Sequence, residues 1–295
     1  MRKYFIIIPI LILVYFLSGN DNSSIKTENK RIETDNLIVN MTNYGMENIL
    51  LSEYLNGVVA CEMPALFHDE AIKAGIVAAR TFYLYKYESD KDYKPSNGDQ
   101  CYFSESKRKE NWKDNYELYN EKILNNINLT KNEVITYDGN LIKAFYFSMS
   151  NGYTEDAVNV FKKSEPYLVS VISVFDKDVK NNLSNKSISV NEFKEKLNVD
   201  NDIVINNIVR DSSNRVSEIV INNVNYDGVY FRKLFDLRST DFEIEFNDQE
   251  VIITTRGYGH GVGMSQWGAN EMAKMGYEYK DILKYYYKDV EIMYK

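Results

Sequence analysis

Apolar residues recur at helical spacing through the first half of the chain and alternate in short runs through the second. Leu55, Val58, Val59 and Met63 share one face of a helix that Ser52 can cap. Pro64 ends it, because proline disfavours helix at the residue before it. A second helix is predicted from Asp69 to Tyr87. Its small residues Ala71, Ala74, Gly75, Ala78 and Ala79 would let another element approach closely, and Asp69 and Glu70 suit its N-terminus. Residues 90–106 carry Pro95, Asn97 and Gly98 and read as a loop. A helix over 117–128 follows, then a strand over 134–137, an Asp138-Gly139 turn and a strand over 142–148. Residues 178–189 are polar and read as an insertion. Beyond them the pattern predicts a short helix over 190–197, a hairpin of 203–209 with 216–221, strands over 242–246 and 251–255, and a closing helix over 277–286. Helices and strands mix without βαβ alternation, so the expected class is α+β.

Arg2 and Lys3 precede an apolar run from Tyr4 to Leu17, interrupted by Pro9. About 14 residues is short for a span and fits a signal region or a minimal anchor. The positive flank keeps the N-terminus cytoplasmic and places the rest outside. Residues 20–36 are polar and aperiodic, a flexible tether. The expected organisation is a signal-anchor over 1–19, a linker over 20–36 and an ectodomain over 37–295. That ectodomain is long enough for one large domain or two small lobes around a single cleft.

Composition narrows the chemistry. The net charge of −8 disfavours nucleic acid, whose binding is driven by phosphate neutralisation. The 24 tyrosines offer flat apolar faces with a hydroxyl, which suit sugars, although an AT-rich genome would also enrich them. Only His68 and His260 are present, and no HExxH occurs, so neither a metal nor a cofactor is expected. Cys61 and Cys101 can form one disulfide or remain two thiols. A Cys61–His260 nucleophile is disfavoured because Glu62 beside it raises the thiol pKa.

The segment RGYGHGVGMSQWGANEMAKMG at 256–276 alternates glycine with Tyr258, His260, Met264, Gln266 and Trp267. It suits a turn gripping a polar ring-shaped ligand, or a glycine-rich hairpin with none. Trp267 can stack on a sugar or fill the core. Glu62 ends its helix beside Met63 and Pro64, with Val58 and Val59 one turn back. Burial and the helix dipole would both raise its pKa, as a general acid needs. Read locally, a surface glutamate at a helix end is the plainer account.

Four ordered blocks reverse that balance. GVVACEMP with AARTF (57–82), AFYFSMSNGYTEDA (144–157), LRST (237–240) and GYGHGVGMSQWGA (257–269) together resemble the stage II sporulation protein D family, which includes the amidase enhancers. The resemblance implies a peptidoglycan lytic transglycosylase of forespore engulfment, anchored in the mother-cell membrane and facing the intermembrane space. It implies Glu62 as the single catalytic acid/base. Arg80 is assigned to the lactyl carboxylate of muramic acid, with a structural ion pair as the alternative. Ser148, Asn151, Tyr153, Tyr258, His260, Ser265 and Gln266 are expected to bind sugar around Glu62. Some relatives carry a His/Cys zinc cluster after AART; here SNGDQCYFSESK retains Cys101 but has no histidine. Implied partners are glycan strands, an amidase or endopeptidase, and other engulfment membrane proteins. Two alternatives stay open: a non-catalytic glycan-binding activator of an amidase, and a hydrolytic muramidase using Asp69, Glu70, Glu155 or Asp156 as its second carboxylate.

Overall fold

In the computed structural model, which describes residues 33–247 and 249–295, the chain enters through the short strands β1 (Ile38–Val39) and β2 (Ile49–Leu50). Helix α1 (Leu51–Glu62) follows at once. Its buried residues Leu51, Tyr54, Leu55, Val58 and Val59 repeat at helical spacing. Ser52 is not the cap. The Leu51 N–H donates instead to the Leu37 carbonyl at 2.8 Å, so the β1–β2 pairing satisfies the helix end. Met63 is already extended before Pro64 and leaves Glu62 as the last helical residue. The expected anchor and most of the expected tether lie outside the described residues. No helix among the described residues is long and apolar enough to cross a membrane.

Helix α2 (Asp69–Ser89) is the axis of the larger core and packs against α1, the helices over 116–129, 266–274 and 279–286, and the strand over 133–137. Its small-residue stripe allows this: a Cβ on Gly75 would stand 2.1 Å from the Met63 sulfur. His68 caps it, its Nδ1 accepting from the Glu70 N–H at 3.3 Å. Helix α3 (Glu105–Trp112) starts inside the segment read as loop; its residues are almost all polar, so no apolar face announces it. Helix α4 (Tyr116–Leu129) leads to β3 (Glu133–Tyr137) and, through Asp138 and Gly139 at φ 48° and 74°, to β4 (Asn140–Leu141).

The strand expected over 142–148 contracts to β5 (Tyr146–Phe147). It is followed by β6 (Gly152–Tyr153), α5 (Ala157–Phe161) and β7 (Ile172–Ser173), the last pairing with β6. Residues 178–189 are not a loose insertion. Their second half is β8 (Leu183–Ser189), after which come α6 (Val190–Leu197), β9 (Ile205–Arg210), β10 (Val216–Ile221), β11 (Val224–Asp227), α7 (Gly228–Leu234), β12 (Phe242–Phe246) and β13 (Glu250–Arg256). The glycine-rich segment ends in β14 (Met264–Ser265) and α8 (Gln266–Lys274); α9 (Tyr279–Tyr286) and β15 (Glu291–Tyr294) close the chain.

The described chain is α+β, and its antiparallel sheets are small: β15-β3-β4, β12-β13-β8 and β11-β10-β9. Two buried apolar clusters organise it. The larger joins α1, α2, α8, α9 and β3; the smaller gathers Phe193, Phe231, Phe235, Phe242, Val251 and Ile253 among the strands of 183–256. Along β13 Val251, Ile253 and Thr255 point inward, which sets its register against both neighbours.

The glycine-rich segment grips its own chain. Met149 and Tyr258 exchange backbone hydrogen bonds at 3.0 and 2.8 Å, and β14 runs parallel to β5. Gly263, at φ 80°, passes so close that a Cβ would lie 2.0 Å from the Phe145 carbonyl oxygen. Here glycine serves close approach of two backbone segments.

Candidate active site

Glu62 stands at the wall of a pocket of ≈ 670 Å³, where α1 ends. The half-buried carboxylate accepts the Cys101 N–H on Oε1 at 2.8 Å, while the Gln266 amide reaches Oε2 at 3.5 Å. Among the described residues no lysine or arginine pairs with it. Burial raises its pKa above the ordinary carboxylate value, and the Cys101 and Gln266 bonds only partly oppose this. Cys61 and Cys101 are joined in a disulfide, so neither is a thiolate ligand or nucleophile. Among the described residues no group of three or more His, Cys, Asp or Glu could hold a metal ion.

Two other carboxylates line the same pocket in opposite electrostatic settings. Burial pushes Asp99 up, yet hydrogen bonds from Ser96 and Lys86 outweigh it and hold its pKa below the usual value. Burial likewise pushes Glu165 up, but Lys143 at 2.7 Å outweighs it, with Lys163 at 3.5 Å adding to the pull. One carboxyl that favours its proton thus shares a pocket with two that favour ionisation, a separation typical of acid/base sites. The carboxylates expected from sequence as second catalytic groups are elsewhere. Asp69 is bonded by Asn126, Glu70 by Lys73 and the Tyr279 N–H, Glu155 by Ser213, and Asp156 by the Ser170 N–H. None of the four lines this pocket.

Of the residues expected to bind sugar, His260 and Gln266 stand near Glu62. His260 lies on the pocket wall among Phe145, Phe147 and Phe161, with ring centroids 5.9, 6.0 and 5.5 Å away. Burial, with Arg232 and Arg215, lowers its pKa to about 4, and its Nδ1 accepts from the Val262 N–H at 3.0 Å. It is a neutral imidazole at pH 7. Tyr153 and Tyr258 are exposed and do not line the pocket; Arg238 covers the Tyr258 ring at 4.5 Å. Ser148 contributes its carbonyl to the Trp267 N–H at 3.1 Å and lies outside the pocket lining.

Three residues expected to bind substrate are instead engaged within the chain. Arg80 is fully buried and makes a two-point ion pair with Asp35 at 2.6 and 2.9 Å, with a third bond to the Glu133 carbonyl. It ties the entering segment to β3 and has no face for a ligand. Asn151 spends its amide on the Ser213 carbonyl and Asp241, both at 2.9 Å, linking 151 to the smaller cluster. Ser265 is buried, donates to Asp176 at 2.6 Å and caps α8 through the Gly268 N–H. Trp267 packs edge-on against Phe67 at 4.7 Å, as a core residue would.

The structure adds residues that motif reading passed over. Tyr146 shares the wall with Glu62, and its hydroxyl accepts from Gln100 at 3.0 Å. Burial, and then the Glu62 charge, push its phenol well above the usual range, so it stays a neutral hydroxyl. Phe161 is 41% exposed and stacks on Phe145 at 4.6 Å, which forms an aromatic shelf at the pocket. Tyr146 lies within the block AFYFSMSNGYTEDA, which was the available signal; nothing local marks Phe161 or Gln100.

The chain was compared with known proteins. A family model described as stage II sporulation protein matches residues 41–137, which include Glu62 and Cys101. Over 262 residues the chain is 40% identical to stage II sporulation protein D of Bacillus amyloliquefaciens, spanning 85% of this chain and 76% of that one. The protein of the same name from Bacillus subtilis (strain 168) is 38% identical over 261 residues, with the same shares. The amidase enhancer of Bacillus subtilis (strain 168) is 29% identical over 290 residues, 79% of this chain and 39% of that protein.

Proposed function

The chain belongs to the stage II sporulation protein D family, and from that premise we propose that it is a peptidoglycan lytic transglycosylase with Glu62 as its general acid and base. The observation that carries this reading is one half-buried carboxyl, raised in pKa and without a cationic partner among the described residues, on the wall of a pocket with an aromatic shelf. Glu62 protonates the oxygen linking muramic acid to the next sugar. It then accepts the proton of the muramic C6 hydroxyl, which attacks the anomeric carbon. The C6 hydroxyl is tethered, so its effective concentration exceeds that of a free nucleophile. The product ends in 1,6-anhydro-muramic acid, and no water is consumed.

Digestion of purified glycan strands in heavy-oxygen water tests the reaction. The expected result is unlabelled anhydro ends. Label at new muramic ends without anhydro product would make the protein a hydrolase, and Asp99 or Glu165 would then be the carboxylates to examine. On this reading Phe161 stacks on a sugar face. Phe161→Ala is expected to raise KM about tenfold, with kcat changed less than about twofold. Initial rates over a range of strand concentrations would check it; an unchanged KM removes Phe161 from the binding surface.

The reading includes attachment to the mother-cell membrane through residues 1–19 and work beside cell-wall amidases during engulfment. A second reading rests on the amidase-enhancer relative: glycan binding alone, with stimulation of a partner amidase. Retained amidase stimulation by a Glu62→Gln protein, with no glycan cleavage by the wild type, would favour it.

A further inference from the structure

Helix α1 does not present Glu62 from a free end. The segment 100–103 is strapped along its last turns. The Phe103 N–H donates to the Gly57 carbonyl at 3.0 Å, and the Tyr102 ring occupies the place a Gly57 Cβ would take, 2.1 Å away. On the other side Gln100 bridges the Tyr54 hydroxyl at 3.2 Å, the Ala79 carbonyl at 3.4 Å and the Tyr146 hydroxyl at 3.0 Å. Cys101 lies between these fastenings. Its sulfur is bound to Cys61 and its N–H holds Glu62 Oε1. Cys61 is the chain neighbour of Glu62. One covalent bond therefore joins the residue beside the acid to the residue that supplies the acid's shortest hydrogen bond.

We propose that the Cys61–Cys101 disulfide is a positioning device for the Glu62 carboxyl, keeping the Cys101 N–H on Oε1 so that the acid holds one rotamer at the pocket wall. The inference rests on the reading of Glu62 as general acid. Gln100 and Phe103 fasten the strap at its ends, and the disulfide is the covalent tie between them, at the residue whose N–H meets Glu62. A general acid must stand within hydrogen-bond reach of the oxygen it protonates. Misplacement by about 1 Å costs on the order of 10²-fold in rate. The strap also affects proton affinity. The Cys101 N–H stabilises the carboxylate, so its release moves the Glu62 pKa further up. Tyr146 from β5 and Tyr44 from the entering segment face Glu62, with Asp99 from the loop and Lys86 from α2 further round the wall. Opening the disulfide changes the charge of none of them.

The test uses the full chain in three forms: oxidised wild type, wild type reduced with dithiothreitol, and the Cys61→Ala/Cys101→Ala variant. Dithiothreitol passes two electrons and two protons to the bond, giving two thiols and its own cyclic disulfide. The alanine variant has no thiols to titrate. Circular dichroism checks the fold of each form. Glycan cleavage gives kcat, KM and the pH profile; carbon-13 NMR of labelled glutamate gives the Glu62 pKa independently of turnover. Expected on opening the bond are a kcat lower by about 10–10²-fold, KM within about twofold, an alkaline limb displaced to higher pH, and recovery on reoxidation. An unchanged kcat in a folded open form overturns the proposal. So does a lower kcat with an unmoved alkaline limb and Glu62 pKa, or unfolding of both open forms, which would make the bond a staple of the fold. A Glu62 pKa that rises on opening, in a protein whose oxidised form cleaves no glycan, upholds the strap and overturns the catalytic reading instead.

Discussion

Glu62→Gln is expected to lose about 10²–10⁴-fold of the glycan-cleaving rate, the usual contribution of a positioned general acid, while glycan affinity and fold stay near wild type. Glutamine keeps an oxygen for the Cys101 N–H and fills the same volume, but its amide is far too weak an acid to protonate a glycosidic oxygen. The stability of the two proteins should diverge with pH. Burial raises the folded pKa of Glu62 above its unfolded value. The stability contributed by that proton is present in full below the unfolded pKa and is lost as pH rises through the folded one. Glutamine carries no such dependence. The difference in melting temperature should therefore shift toward the variant between acid and neutral pH, while wild-type cleavage falls on the alkaline side of the same titration. A folded Glu62→Gln protein that cleaves near normally would end the assignment.

Arg80→Met is expected to destabilise the fold by about 3–5 kcal/mol, as for any buried pair that loses one partner. Asp35 would remain 3% exposed without its guanidinium, and the Glu133 carbonyl would lose a donor. Asp35→Leu combined with Arg80→Met should recover most of the loss, because a well-packed apolar pair avoids the desolvation of two charges. Denaturant unfolding of the three variants measures both effects. A ligand-binding arginine would behave differently: its removal would weaken glycan binding with little change in stability. That outcome would return Arg80 to the site.

The local arrangement of this protein is legible in its sequence wherever a single stretch carries its own period or turn chemistry. Helix α1 follows from Leu55, Val58 and Val59, and its end from Pro64. The small residues of α2 announce a helix that others approach closely. Asp138-Gly139 announces a hairpin, and the short helix over 190–197 stands where its apolar positions put it. The family is recognisable through its ordered motifs, since four blocks in one order are specific where each alone is weak. Tertiary structure decided what depended on a distant partner. Strand β8 is polar and mostly exposed, so only its backbone pairing with β13 makes it a strand. The glycines of 257–263 could serve a ligand or a neighbouring part of the chain; Gly257, Gly259 and Gly263 meet segment 145–151, and Gly261 meets the Arg215 guanidinium. Arg80 is equally suited to a carboxylate from a substrate or from Asp35; folding brings Asp35 to it from 45 residues away. Cys61 and Cys101 become a bond only because Tyr102 and Phe103 lie along α1 at Gly57. Periodicity is a property of neighbours in the chain and can be read there, whereas ion pairs, disulfides and pocket walls are set by groups that meet only after the chain has folded.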